Sequence, residues 1–149
     1  MALTKQITFR EANPALDYEF ARTTHHAAYK DVVTKQFGSW DEKVQDTFFK
    51  EGWERAPSKI ILEEGIPIGV LSFNLNNDHL FLSELQILPS SQNRGIGSHI
   101  VKGLIAEAQS LKIPLRLQVL KENKAVNLYG KLGFVVVDTT AIHIRMERA

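Results

Sequence analysis

The stretch "SELQILPSSQNRGIGSHIVKGLI", Ser83 to Ile105, limits what this chain can fold into more than any other. An alternating strand pattern runs into Pro89, Gly95 and Gly97 stand one residue apart, and apolar residues at helical spacing follow. A glycine loop between a strand and a helix exposes backbone N–H groups at the helix N-terminus. There the donors and the helix dipole both favour an anion such as phosphate. Two readings of the loop fail. A dinucleotide fingerprint needs a third glycine, but position 100 is Ile. A nucleotide P-loop needs Gly-Lys-Ser/Thr, but Ser98 and His99 follow Gly97.

The flanking patterns predict a mixed sheet. "KQITFREA" alternates as a short strand, and Asn13-Pro14 reads as a capped helix start, with the helix running to about Val33. "SWDEKVQDTFFKEGW" predicts a second helix, capped near Ser39 or Asp41 and burying Val44, Phe48 and Phe49. "SKIILEE" and "IPIGVLSFNL" form a hairpin about Glu64-Gly65, and Asn76-Asn77-Asp78 turns into "HLFLSELQIL". Ile96, Ile100, Val101, Leu104, Ile105, Ala108 and Leu111 mark an amphipathic helix. "IPLRLQVL" is a strand, "NKAVNLYGKL" a short helix, and "GFVVVD" and "TAIHIRME" two last strands. The expected order is β-α-α-β-β-β-α-β-α-β-β, an α/β (α+β) fold with a mostly antiparallel sheet and helices on both faces.

With 149 residues and no repeat, residues 1–149 are expected to form a single domain. A net charge of +1 gives no overall field for nucleic acid or an anionic membrane, so anion recognition must be local. The absence of cysteine excludes a disulfide framework, a thiolate metal site and a cysteine nucleophile, and fits a reducing, cytoplasmic setting. No metal is expected. No 18-residue apolar run occurs, and a soluble protein is expected.

The loop and a second stretch, "NKAVNLYGKLGF", together resemble the signatures of the GNAT superfamily of N-acetyltransferases. The first signature is a strand ending in apolar-x-Pro, then Gln/Arg-x-x-Gly-x-Gly/Ala and an amphipathic helix. It is matched by Pro89, Gln92, Gly95 and Gly97. The second is an Asn, an Ala, then Leu-Tyr-x-x-x-Gly-Phe. The resemblance implies the GNAT fold, acetyl-CoA as cosubstrate, and a primary amine of a small molecule or protein as acceptor. It implies a pyrophosphate seat at Gln92, Asn93, Arg94, Gly95, Ile96, Gly97 and Ser98. It also implies a pantetheine arm paired like an extra strand near Ile87 and Leu88, where a splay from the fifth strand opens a slot. Asn123 stands six residues before Tyr129, where seven is commoner, so either Asn123 or Asn127 contacts the cosubstrate arm. This fold often pairs through its C-terminal strands, so a homodimer is possible.

Acetyl transfer to an amine needs a base, an oxyanion donor and an acid for the leaving thiolate. An alkylamine with pKa roughly 10.4 is neutral in only about one molecule per thousand at pH 7. Glu84 is the candidate base: it shares a strand face with Gln86, a face that lines the acceptor cleft in relatives. Its alternative role is a structural ion pair. By resemblance Tyr129 lies near the departing sulfur as general acid, its alternative being core packing beside Ala125 and Leu132. A backbone N–H near Ile87 or Leu88 would polarise the carbonyl. The absence of cysteine favours direct transfer over a thiol relay. A non-catalytic acyl-CoA-binding or sensing module is the alternative function.

The acceptor side is sought in the first helical region and its loop, with His25 or His26, Tyr29, Phe37 and Trp40. Adjacent histidines point about 100° apart on a helix and make a poor metal pair. His143 and Arg145 face away from the apolar row of the last strand. Lys121, Lys124 and Lys131 cluster around the second motif, where they would face the 3′-phosphate or plain solvent.

Overall fold

The computed structural model describes residues 5–149. The chain forms β1 (Ile7–Glu11), α1 (Tyr18–Phe37), α2 (Glu42–Arg55), β2 (Lys59–Glu63), β3 (Ile66–Leu75) and β4 (Leu80–Ile87). A 3₁₀ turn at Pro89–Ser91 follows, then α3 (Ile96–Ser110), β5 (Leu115–Leu120), α4 (Ala125–Lys131), β6 (Val135–Thr139) and β7 (His143–Arg148). The predicted order of strands and helices is the observed one. Among the described residues, seven strands are ordered β1-β2-β3-β4-β5-β7-β6. Strands β4 and β5 run parallel, and the ladders joining β1 to β2, β2 to β3, β5 to β7 and β6 to β7 are antiparallel. No helix among the described residues is long and apolar enough to cross a membrane.

Chain contacts divide the protein into two compact units. The first holds the residues up to Ser72 together with Glu84–Ile96; the second holds Phe73–Ser83 and Gly97–Ala149. In the first unit, β2 is laddered to β1 on one side and β3 on the other, with Glu63 opposite both Ile7 and Ile66. Glu64 (φ 50°) and Gly65 (φ 80°) both take left-handed conformations, as a tight two-residue hairpin demands. Gly69 is required for a different reason. A Cβ there would collide with the Gln86 carbonyl oxygen, so the β3 backbone meets β4 too closely for any side chain. The core centres on Ala21, Ile60 and Val70, with Phe20, Phe49, Trp53 and Leu62 packed around it.

Helix boundaries shift from the sequence expectation. Asn13 does cap a turn, accepting from the Ala15 and Leu16 amides, but that turn ends at Asp17 and α1 begins at Tyr18. The helix continues to Phe37, where Gly38 in the left-handed conformation (φ 88°) sends its N–H back to the Thr34 carbonyl. Asp41 caps α2 by accepting from the Val44 amide. Val44 and Phe48, expected to be buried, are 43% and 61% exposed; Phe49 faces inward as expected, and Trp53 joins it. The inward face therefore turns toward the aromatic side of α1.

In the second unit, α3 buries Ile100, Val101, Leu104 and Ala108, while Leu111 at its end is 44% exposed. Each fully buried aliphatic side chain stabilises by about 1.5–3 kcal/mol. The β5 ladder to β7 runs from Leu115 through Leu120, whereas its ladder to β4 covers Leu80↔Leu115 to Leu82↔Leu117.

Candidate active site

Glu84 lies in β4, largely withdrawn from water, and accepts from the Gln86 side-chain amide two residues on. Burial pushes its carboxyl up to about 7, opposed in part by the Gln86 hydrogen bond. The partner the structure gives it is therefore an amide, not the cation of an ion pair. Gln86 itself is 3% exposed and fixes the carboxyl within the strand. A carboxyl with such a pKa exchanges protons near neutrality, which an acid–base group must do.

Of the two backbone donors expected at the end of β4, one is already engaged. The Leu88 N–H donates to the Ile68 carbonyl at 2.8 Å, so Leu88 faces β3. Successive amides of an extended chain face opposite edges, which turns the Ile87 N–H away from β3.

The loop after β4 is built residue by residue. Gln92 donates its side-chain amide to the Ile87 carbonyl at 2.8 Å, tying the loop to the strand end. Asn93 (φ 60°) and Gly95 (φ 81°) both take left-handed backbone, and Ile96, 2% exposed, plugs the core as α3 begins. A Cβ at Gly95 would meet nothing within 4 Å, so backbone conformation and not crowding calls for glycine there. Gln92, Asn93, Arg94 and Gly95 are exposed. The Gln92 N–H is spent on the Pro89 carbonyl at 3.2 Å, so within this exposed stretch an anion would have to be met by the amides from Asn93 onward. Arg94 does not point outward as a free cation: it donates from Nη1 and Nη2 to the two oxygens of Glu63, at 2.9 and 2.6 Å.

In the second unit, Gly97 and Ser98 form the first turn of α3, half-buried. Tyr129 is 6% exposed, its ring edge-on to Phe134 at 5.5 Å, and burial raises its hydroxyl to about 12. It is fully protonated at neutral pH. The Asn123 side-chain oxygen accepts from the Ala125 amide at the start of α4, while Asn127 is exposed on that helix. Lys121, Lys124 and Lys131 are exposed.

The two histidines form a hydrogen-bonded group, and His25 meets Tyr29 one helical turn on. His25 and His26 face each other, Nδ1 to Nδ1, at 2.9 Å, and His26 Nε2 meets Asp46 Oδ1 at 2.7 Å. Burial, then the neighbouring His26, lowers His25 to about 4. His25 also lies against Tyr29 and Phe49, and Trp40 stands edge-on to His26 at 5.0 Å. Among the described residues, His26, Glu42 and Asp46 come within metal-ligand spacing. Arg22 already binds both carboxylates and Trp40 donates to Glu42, which makes the group a salt-bridge network. Neither Asp46 nor Glu63 carries a local signal in the sequence, because their partners lie 20 and 31 residues away.

Comparison with known proteins agrees with this architecture. The profile of the Acetyltransferase (GNAT) family matches residues 25–134. No curated protein sequence matches the chain. Among solved structures, the chain is similar to the PaiA N-acetyltransferase of Thermoplasma acidophilum, determined in complex with coenzyme A. The TM-score is 0.77 and the identity 18%, covering 96% of this chain and 98% of that one. It is also similar to an acetyltransferase of Thermus thermophilus (TM-score 0.72, 18% identity, 96% of each chain). A GCN5-related N-acetyltransferase of Rhodopseudomonas palustris gives TM-score 0.70 at 17% identity, covering 100% of this chain and 99% of that one. At these identities the likeness speaks for the fold.

Proposed function

From the premise that this chain belongs to the Acetyltransferase (GNAT) family, we propose that it carries an acetyl group from acetyl-CoA directly to a primary amine of a small molecule or protein. The reading takes residues 1–149 as one acetyltransferase domain. The observation that carries it is Glu84, a half-buried carboxyl poised at about 7 in β4, three residues before Ile87. The exposed glycine loop, with Asn93 and Gly95 in left-handed backbone just before α3, supports a diphosphate seat there.

When bound, acetyl-CoA supplies an activated thioester. Glu84 as carboxylate takes the proton that keeps an amine from attacking, a task worth ~10²–10⁴ in rate. The Ile87 N–H stabilises negative charge on the carbonyl oxygen. The new N–C bond forms and the C–S bond breaks; the protonated Tyr129 hydroxyl gives the sulfur its proton, and the extra proton on the new amide nitrogen is released through solvent, from which the Tyr129 hydroxyl is restored. A residue held at about 12 stays an acid across the working range.

The test is a panel of amines, peptides and proteins incubated with acetyl-CoA, with acetylated product read by mass spectrometry. Product formation that falls at least about tenfold in Glu84→Gln is the expected result. Coenzyme A binding with no product from any amine supports a non-catalytic acyl-CoA sensor instead. Thermal stabilisation by ATP or NAD but not by coenzyme A overturns both; ligand at about a hundredfold its Kd adds ~2.7 kcal/mol.

A further inference from the structure

Glu63 is a buried carboxylate, 8% exposed, at the last position of β2. Its backbone is held on both sides, by Ile7 of β1 and Ile66 of β3, so it stands on a rigid post. Both its oxygens accept from Arg94, at 2.9 and 2.6 Å, in the fork-to-fork geometry that suits guanidinium and carboxylate. The Arg94 hydrogen bonds hold the Glu63 carboxyl below the usual carboxylate range, so the pair is ionised at neutral pH.

Arg94 occupies a telling place. It sits between Asn93 and Gly95, the two left-handed residues that shape the loop. Its neighbours in the loop are exposed and carry no core side chain until Ile96. Gln92 secures the loop's beginning and Ile96 its end. Arg94 ties its middle to β2, 31 residues away in sequence. An anion seat made of backbone amides works only if those amides are aimed before the ligand arrives, because ordering a loop on binding consumes affinity.

We infer that Glu63 is a positioning residue for the diphosphate of the acyl donor, acting through Arg94, which serves as a strut for the loop and not as the phosphate's cation. The inference rests on the coenzyme A reading of the loop and extends it to β2. Because Glu63 neutralises Arg94, phosphate recognition is left to amides and the helix end. Removing the carboxylate frees a cation yet loosens the loop, and these two effects push affinity in opposite directions. The sign of the change therefore decides between strut and ligand.

Two ligands separate the loop from the rest of the site: coenzyme A, which carries the diphosphate, and pantetheine, which lacks it. Calorimetry or NMR titration of the full chain measures both. In Glu63→Gln the Kd for coenzyme A should rise on the order of tenfold, while that for pantetheine stays within about twofold. Arg94→Lys keeps the charge but loses the fork, and should weaken coenzyme A nearly as much as Arg94→Gln. That comparison holds even if Glu63→Gln does not fold. Coenzyme A bound equally or more tightly by Glu63→Gln, or Arg94→Lys retaining wild-type affinity, overturns this inference alone. Failure of the wild type to bind coenzyme A overturns the functional reading and this inference with it.

Discussion

Glu84→Gln offers a measurement on stability that is independent of any acceptor. Burial moves this carboxyl from 4.5 to about 7 in the folded protein. The folded state therefore holds a proton between those values that the unfolded chain has released, and stability falls as pH rises through that window. At about 1.4 kcal/mol per tenfold change, the full penalty above pH 7 is about 3 kcal/mol. Between about pH 5 and pH 8, where the unfolded carboxyl is already mostly ionised, the part that remains is about 2.5 kcal/mol. Glutamine keeps the shape and a hydrogen-bonding end for Gln86 but cannot ionise. Urea unfolding of both proteins at half-unit steps from about pH 5 to pH 8.5 gives the difference directly. Glu84→Gln should gain on the wild type by about 2–3 kcal/mol across that range. A difference flat with pH would refute the reasoning, because it would mean that the folded carboxyl ionises as easily as the unfolded one. The same group should make the rate of acetyl transfer climb through pH 7, and the variant should lose that climb.

Other outcomes follow from individual contacts. His25, lowered from 6.5 to about 4, should make the protein lose stability as pH falls through that window, by up to about 3 kcal/mol. His25→Gln should flatten that acid limb in unfolding curves at about pH 4–6.5. Gly69→Ala places a Cβ against the Gln86 carbonyl, which backbone must move to relieve, and should cost at least about 3 kcal/mol in urea unfolding. Gly95→Ala strains the left-handed residue and should cost about 1 kcal/mol, with a larger relative loss in coenzyme A affinity by calorimetry. Tyr129→Phe keeps the ring against Phe134 and should lower turnover while leaving the Kd for coenzyme A within about twofold.

What was legible in the chain was local. Alternation, helical spacing, the Glu64-Gly65 turn and the glycine loop are short-range signals, and each dictated an element that the structure contains. Where helix ends depended on long-range packing they moved: α1 waits for Asp17, whose carboxylate is bound by Arg10 of β1. Periodicity also misjudged α2, since the stripe with Val44 and Phe48 is apolar but faces away from the aromatic contacts that orient the helix.

The sequence by itself determined the order of elements and the place of the loop, because backbone conformation answers to neighbours a few residues away. Only the tertiary structure decided which groups are charged, aimed or occupied. It joined Arg94 to Glu63, spent the Leu88 amide on Ile68, set His25 against His26, and left Glu84 with an amide for a partner. Packing brings side chains 20 and 31 positions apart in the chain to 2.7 and 2.6 Å. Burial then sets the proton affinities of groups whose ordinary values the chain alone would suggest.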